Sequence, residues 1–370
     1  MINTNQGTKH QKDAVQTPTA LAEALARLCD SPALSGRRLR FMEVCGTHTM
    51  SVYRHGLRKL LPANMELISG PGCPVCVTPA DTVAQALAIA GQAQVILASF
   101  GDMLRVPVAG QSLLKAGAQG CGIRLVTSPL EALEIAAQNP TNQVVFLAVG
   151  FETTAPLSAA TVRLADQRRV TNFSLLSAHR LMPPALRQLF VFQPRLDGLL
   201  LPGHVAAVTG ADYFAFVPQE LGLPAVVAGF EPPDILAALL ALTRQAALGQ
   251  CRLENAYKRA VRQTPNPTAW AVMEQVFMPQ DACWRGLGWI SNSGLKLTPA
   301  YAGYNALNRF HIKAPETREN PACRCQDVLR GQLKPAACPL FARACHPDDP
   351  QGPCMVSSEG ACAAEYRYNN

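Results

Sequence analysis

Aromatic residues make up only 6% of this 370-residue chain and charged residues 16%. The basic residues come as scattered pairs, such as Arg37-Arg38, Arg58-Lys59 and Arg168-Arg169, without a long run and with few aromatics beside them. A net charge of +7 spread in this way does not make a nucleic-acid surface, so no nucleic-acid partner is expected. Long apolar runs are also missing. The stretch "ILAALLAL" falls far short of the roughly 20 residues that span a bilayer, so no membrane span is expected. The opening "MINTNQGTKHQKDAVQTPTA" has no apolar h-region and reads as a flexible N-terminus over residues 1–20. There is no G-x-x-x-x-G-K-[ST], no G-x-G-x-x-G opening a helix and no Cys-x3-Cys-x2-Cys. These absences argue against a P-loop, a standard dinucleotide site and a radical-SAM enzyme.

Cysteine is what the chain has in quantity, 13 residues. A cytoplasmic location is expected, and there so many thiols point to metal binding or thiol chemistry rather than to a disulfide framework. The first group is "ISGPGCPVCVTPAD", with Cys73 and Cys76 in a Cys-x-x-Cys. The pair alone is compatible with half a zinc site, a redox disulfide or another metal's docking place.

Strand-length apolar runs end in Gly, Pro or a polar residue: "LRFMEVCG", "MELISGPG", "VILASFGD" and "IRLVTSP", then "VVFLAVGF", "FSLLSAH", "GLLLPGH" and "AVVAGF". Helical stretches such as "ADTVAQALAIAG" and "LEALEIAAQ" alternate with them, which predicts an α/β fold with parallel sheets covered on both faces. Thr78-Pro79-Ala80-Asp81 and Ser128-Pro129-Leu130-Glu131 both read as capped helix starts. The expected partition is one α/β lobe over residues 21–135, a second with a helical stretch over 136–314, and a Cys-rich C-terminal domain over 315–370. That last segment is too poor in apolar residues to fold without a staple.

The tail places Cys323, Cys325, Cys338, Cys345, Cys354 and Cys362 within 40 residues, at gaps of 1, 12, 6, 8 and 7. No zinc knuckle fits those gaps. A four-thiolate iron–sulfur cluster tolerates them better and leaves two cysteines over, although zinc and loose thiols stay open on spacing alone. In "EVCGTHTM", Cys45 closes a strand and Thr47 and His48 follow a glycine. This is a nucleophile with a base, a metal ligand with a supporting partner, or a buried strand-end cysteine with a hydrogen-bonded histidine. Cys45, Cys73 and Cys76 all fall at carboxyl ends of adjacent predicted strands, where ligands bind in parallel sheets. Three soft thiolates there suit iron, copper(I) or zinc. Glu152-Thr153-Thr154, His179 and His204 fall at equivalent strand ends; each alone reads as structural, a cap or a satisfied core histidine, and taken together they read as the far wall of the same cleft. Cys29, Cys121, Cys251 and Cys283 show no partner pattern.

Together "CGTHT", "GPGCPVC", "GFETT", "PGHV" and "CMVSSEGAC" resemble the HypD-type [NiFe]-hydrogenase maturation factors, over about residues 20–366. The family's cluster signature, Cys-x14-Cys-x6-Cys-x16-Cys, is met by Cys323, Cys338, Cys345 and Cys362. The resemblance therefore implies two Rossmann-like lobes and a [4Fe-4S] domain, with Cys325 and Cys354 as a thiol/disulfide pair beside the cluster. It implies a scaffold that holds iron while the Fe(CN)2CO group of a [NiFe] hydrogenase is built, with a HypC-type small chaperone and a HypE-type cyanide donor as partners. On that reading Cys45 is the iron ligand, and Cys73 and Cys76 are further ligands or a reversible disulfide. Thr47 and His48 then orient the thiolate or hydrogen-bond a cyanide. The alternative is an iron–sulfur thiol–disulfide reductase acting on a protein partner.

Overall fold

Nine strands form two parallel sheets in the computed structural model, which describes residues 17–192, 195–312, 317 and 319–369. They are β1 (Leu39–Glu43), β2 (Met65–Ser69), β3 (Val95–Ser99), β4 (Gly122–Leu125), β5 (Gln143–Gly150), β6 (Phe173–His179), β7 (Gly198–Pro202), β8 (Ala225–Ala228) and β9 (Leu253–Asn255). Strands such as β3, β7 and β8 are buried along their whole length, as expected for parallel sheets covered by helices on both faces. The expected α/β fold with two Rossmann-like sheets and a cysteine-rich C-terminal region is what the chain adopts.

The grouping of the strands differs from the expected partition. One sheet runs β2-β1-β7-β8-β9 and the other β4-β3-β5-β6. The chain thus leaves the first sheet after β2, builds the whole second sheet, and returns at β7. The expected boundary at residue 135/136 cuts the second sheet between β4 and β5, because β3 pairs with both of them. The physical reason is pairing at a distance: β1 finds β7, with Phe41 opposite Gly198, and local patterning carries no record of that. After β9 comes an antiparallel hairpin, β10 (Phe277–Trp284) and β11 (Gly288–Leu297). Most of the expected flexible N-terminus lies outside the described residues, and its last residues open the helix Pro18–Cys29, capped by Thr17.

Local capping follows the sequence in one place and departs from it in another. Ser128 Oγ accepts from Glu131 N–H at 3.3 Å, and the Glu131 carboxylate accepts from Thr127 N–H at 2.8 Å. Thr78, by contrast, donates its hydroxyl backward to Pro74 O at 2.8 Å, and the following helix, Ala80–Ala90, has no side-chain cap. Thr78 therefore closes the short cysteine helix Pro74–Val77 instead of starting the next one.

The tail is not an independent unit. Its helix Ala361–Tyr368 packs on the helix Gly46–Arg54, with Tyr53 Oη donating to Glu365 at 3.0 Å. Its helix Pro353–Val356 packs on Pro74–Val77. Cys325, Cys345, Cys354 and Cys362 belong to the same apolar core as Cys73, Cys76 and the inward faces of the sheets.

One contact holds the two cysteine loops together. Gly46 N–H donates to Gly72 O at 2.9 Å, and a Cβ on Gly72 would fall 2.2 Å from Cys45 N and 2.3 Å from Val44 C. Both atoms are backbone and cannot swing away. Gly72→Ala is accordingly expected to cost about 1–3 kcal/mol through overpacking, read as a lower midpoint in thermal unfolding. An unchanged midpoint would contradict this contact.

Candidate functional site

Cys45 follows β1 and sits at the N-cap of the helix Gly46–Arg54. Its thiol is buried, and that burial pushes its pKa up to about 12. The nearby charge of Glu359 adds to the shift, while the backbone N–H groups of His48 and Thr47 work against it. The isolated thiol therefore keeps its proton at neutral pH, and a cation that binds there must displace it. Beside it lies Glu43, fully buried, whose carboxyl accepts from Cys45 N–H at 3.2 Å and from the Thr49 hydroxyl at 2.5 Å. Burial pushes Glu43 up to about 8, against the pull of those hydrogen bonds and of Arg58.

Cys45 opens into a cavity of about 340 Å3. Every strand that contributes to its wall does so from its carboxyl end. Val44, Cys45 and Thr47 follow β1, Gly72, Pro74 and Val75 follow β2, and Phe100 follows β3. From β5 and the turn beyond it come Val149, Phe151, Thr153 and Thr154, and from β7 come Pro202, His204 and Val205. The cavity thus lies between the two sheets, and its surface is mostly apolar with hydroxyls and one imidazole placed around it. Glu359 reaches in from the tail, and Thr47 Oγ1 donates to it at 2.7 Å. Glu359 also fills the space over Gly46, where a Cβ would meet it at 2.5 Å. Two further contacts hold the tail segment: Arg105 donates to Val356 O at 2.8 Å, and Ser358 N–H donates to Asp102 at 3.2 Å.

The predicted residues divide between this cavity and the core. Cys45, Thr47, Thr153, Thr154 and His204 line the cavity. His48 does not: its Nε2 pairs with Gly229 O at 2.8 Å and its ring stacks on Phe230, so only its backbone N–H faces Cys45. Burial pulls His48 down to about 4, so it is neutral. Glu152 turns inward to accept from Met182 N–H and Tyr213 Oη, both at 2.8 Å. His179 is held between Ser158 and Ser177. Both are structural. Neither Glu43 nor Glu359 stands out in the sequence; the only signal for either is its place inside a quoted motif.

Cys73 and Cys76 are joined as a disulfide behind this wall, and both are buried. In that state they offer no thiolate, so of the three cysteines expected as metal ligands only Cys45 is free. Among the described residues no three His, Cys, Asp or Glu side chains converge as a single-ion site.

The six tail cysteines do come together. Cys323, Cys325, Cys338, Cys345, Cys354 and Cys362 all line one small cavity, closed on its other sides by Leu340, Phe341, Met355 and Gly352. Gly352 is required there, since a Cβ would lie 2.7 Å from Cys323 Sγ. Six sulfurs around an apolar space fit a thiolate-ligated cluster, as four ligands with two thiols to spare. Cys325 Sγ and Cys354 Sγ are 2.7 Å apart and both are free. Burial pushes Cys323 up to about 12. Cys29, Cys121, Cys251 and Cys283 lie apart from both groups, free and without a shared cavity.

Comparison with known proteins places the chain in a family. The HypD family model, described as "Hydrogenase formation hypA family", matches residues 17–369. The chain is 45% identical over 357 residues to hydrogenase maturation factor HypD of Azotobacter vinelandii, with 94% of each chain covered. It is 42% identical over 358 residues to the HypD of Cupriavidus necator, again with 94% of each covered. With the HypD of Escherichia coli K12 it shares 44% identity over 335 residues, 90% of each chain.

Glu43 gives a test by pH. Its folded pKa of about 8 lies above the ordinary 4.5, so its contribution to stability is complete below the ordinary value and is lost as pH rises through the folded one. Glu43→Gln, which mimics the protonated acid, is expected to gain on the wild type as pH rises through that window, by up to about 1 kcal/mol per pH unit. Chemical denaturation of both proteins at several pH values checks this, and parallel stability curves would refute it.

Proposed function

The chain belongs to the HypD family of hydrogenase maturation factors, and from that premise we propose that its substrate is an iron ion held at Cys45 while the Fe(CN)2CO group of a [NiFe] hydrogenase is assembled. The observation that carries this reading is the single free thiol in the cavity between the sheets. A soft thiolate suits low-spin iron(II) carrying cyanide and carbonyl. One thiolate leaves most of the coordination sphere open, which suits a cargo shared with a HypC-type chaperone and modified by a HypE-type cyanide donor. The apolar wall of Val44, Val75, Phe100, Val149, Phe151 and Val205 keeps water from the metal. The Thr153 hydroxyl is a donor suited to a cyanide nitrogen, while those of Thr47 and Thr154 already donate to Glu359 and to Phe151 O.

Cys323, Cys338, Cys345 and Cys362 are the residues that would hold a [4Fe-4S] cluster, a group that supplies one-electron redox chemistry when bound. The protein's own thiols account for a two-electron step. Oxidation of the Cys325/Cys354 dithiol to a disulfide releases two electrons and two protons, and reduction of the Cys73–Cys76 disulfide to two thiols takes up the same. Packing of the Cys354 helix against the Cys73–Cys76 helix places the two pairs in neighbouring parts of one core. Reduction frees Cys73 and Cys76 beside the cavity, where they can serve as further ligands.

Infrared spectroscopy of the anaerobically purified protein with its small chaperone tests the reading. Sharp metal-cyanide and metal-carbonyl bands are expected, and Cys45→Ala should abolish them. Absence of the bands with the cluster intact and the chaperone bound would overturn the scaffold reading in favour of an iron–sulfur thiol–disulfide reductase. In a separate assay, Cys338→Ala is expected to lose acid-labile sulfide and the brown colour of the anaerobic protein. Full sulfide content in that variant would refute the cluster assignment.

A further inference from the structure

One strand away from Glu43, whose partner in the register is Ser69, lies a second cavity, of about 120 Å3. It separates β2 from the tail segment that links the helix Cys325–Leu329 to Cys338, and Arg40, Tyr53, Arg58, Glu66, Ser69 and Lys334 face it. Its charges do not balance. Glu66 is the one acid in the wall, and it is shared by Arg40 at 3.3 Å, Lys334 at 3.1 Å and, from outside, Arg38 at 3.2 Å.

Arg58 is left over. Its guanidinium lies 4.4 Å above the Tyr53 ring centroid, and its buried Nε has no hydrogen-bond partner. Among the described residues no acid lies within ion-pair distance of it. The acid whose field it feels is Glu43, whose oxygens already accept from Cys45 N–H and Thr49 Oγ1. Glu365 is likewise engaged by Tyr53 Oη. A buried, unpaired Nε–H is costly to leave so, and the planar fork of the half-buried guanidinium matches an oxyanion edge.

We propose that this cavity binds a phosphate-class oxyanion, either the free ion or the head group of a phosphomonoester. Arg40, Arg58 and Lys334 against Glu66 leave a surplus of positive charge that a multiply charged tetrahedral anion meets better than a carboxylate does. The volume corresponds to about four waters at ~30 Å3 each, enough for the tetrahedral group while the rest of an ester stays outside. The bound anion would bridge β2 to the tail. Gly331 already lies so close to β1 and β2 that a Cβ would meet Met42 Cε at 2.5 Å and Ile68 Cγ2 at 2.8 Å. An anion at this seam therefore steadies the segment that carries the Cys325 helix. This inference does not depend on the iron-scaffold reading.

The test uses the anaerobic full-length protein, titrated at constant ionic strength with inorganic phosphate, glycerol 3-phosphate and acetate, and followed by calorimetry and by the thermal midpoint. Phosphate is expected to bind saturably and raise the midpoint, with binding at least about tenfold weaker in Arg58→Gln. Lys334→Gln, an exposed change that spares the fold, should weaken it as well and serves if Arg58→Gln does not fold. Glycerol 3-phosphate binding like phosphate supports a head-group site, and phosphate alone supports a free-ion site. Acetate binding equal to phosphate, no saturable binding of either phosphate compound, or binding unaffected by the substitutions would overturn the proposal.

Discussion

Gly72 lies against the backbone of Val44 and Cys45 at a distance no side chain permits, and the hydrogen bond from Gly46 to its carbonyl closes the contact. Through it the loop after β2 and the turn after β1 become one surface. The Cys45 thiol and the Cys73–Cys76 disulfide are thereby fixed relative to each other within the core rather than on two mobile loops. The glycine after Cys45, Gly46, does the same for the tail, because Glu359 packs where its Cβ would be. Two missing side chains thus bring together three parts of the chain that are far apart in sequence.

Burial then decides the chemistry. Cys45 and Glu43 stand side by side, both buried, and desolvation favours the neutral form of each. A site built this way is quiet when empty, since a protonated thiol is a poor nucleophile and a poor ligand. On the proposed reading it becomes a ligand only when a metal supplies the charge that water does not. The helix N–H groups of Thr47 and His48 are already directed at the sulfur and ease that change. His48 contributes to this through its backbone, while its ring anchors the helix to Gly229 and Phe230.

What the sequence made legible was local. The strands β3, β5, β7 and β8 show themselves as apolar runs because both of their faces are covered, and the cysteine groups are visible as spacing. The three half-buried residues of β9 make no apolar run, and the hairpin β10–β11 has no regular alternation of burial, so the glycines of its turn, Gly286 and Gly288, lack flanking strand patterns. Strand grouping was not legible, because β1 and β7 pair across more than 150 residues of intervening chain. Nor was the role of Glu359, whose partner Thr47 is 312 residues away. Thr78 shows the same limit at short range: its hydroxyl had two backbone acceptors or donors to choose from, and the cysteine helix won.

The nested order of the sheets gives the cleft its character. Because the second sheet is inserted between β2 and β7, the chain crosses from one sheet to the other twice, and the tail crosses the seam again. The end of β10 adds another tie. Arg285 N–H donates to Val77 O at 2.8 Å and its buried guanidinium to Thr78 O at 3.2 Å, while the same guanidinium pairs with Glu319 at 2.7 Å. This one side chain links the closing carbonyls of the disulfide helix to the start of the cysteine-rich tail. Two lobes joined by a single linker would open freely about it. Two lobes crossed this often resist wide opening, so the thiols of the tail and the disulfide of the cleft stay packed together.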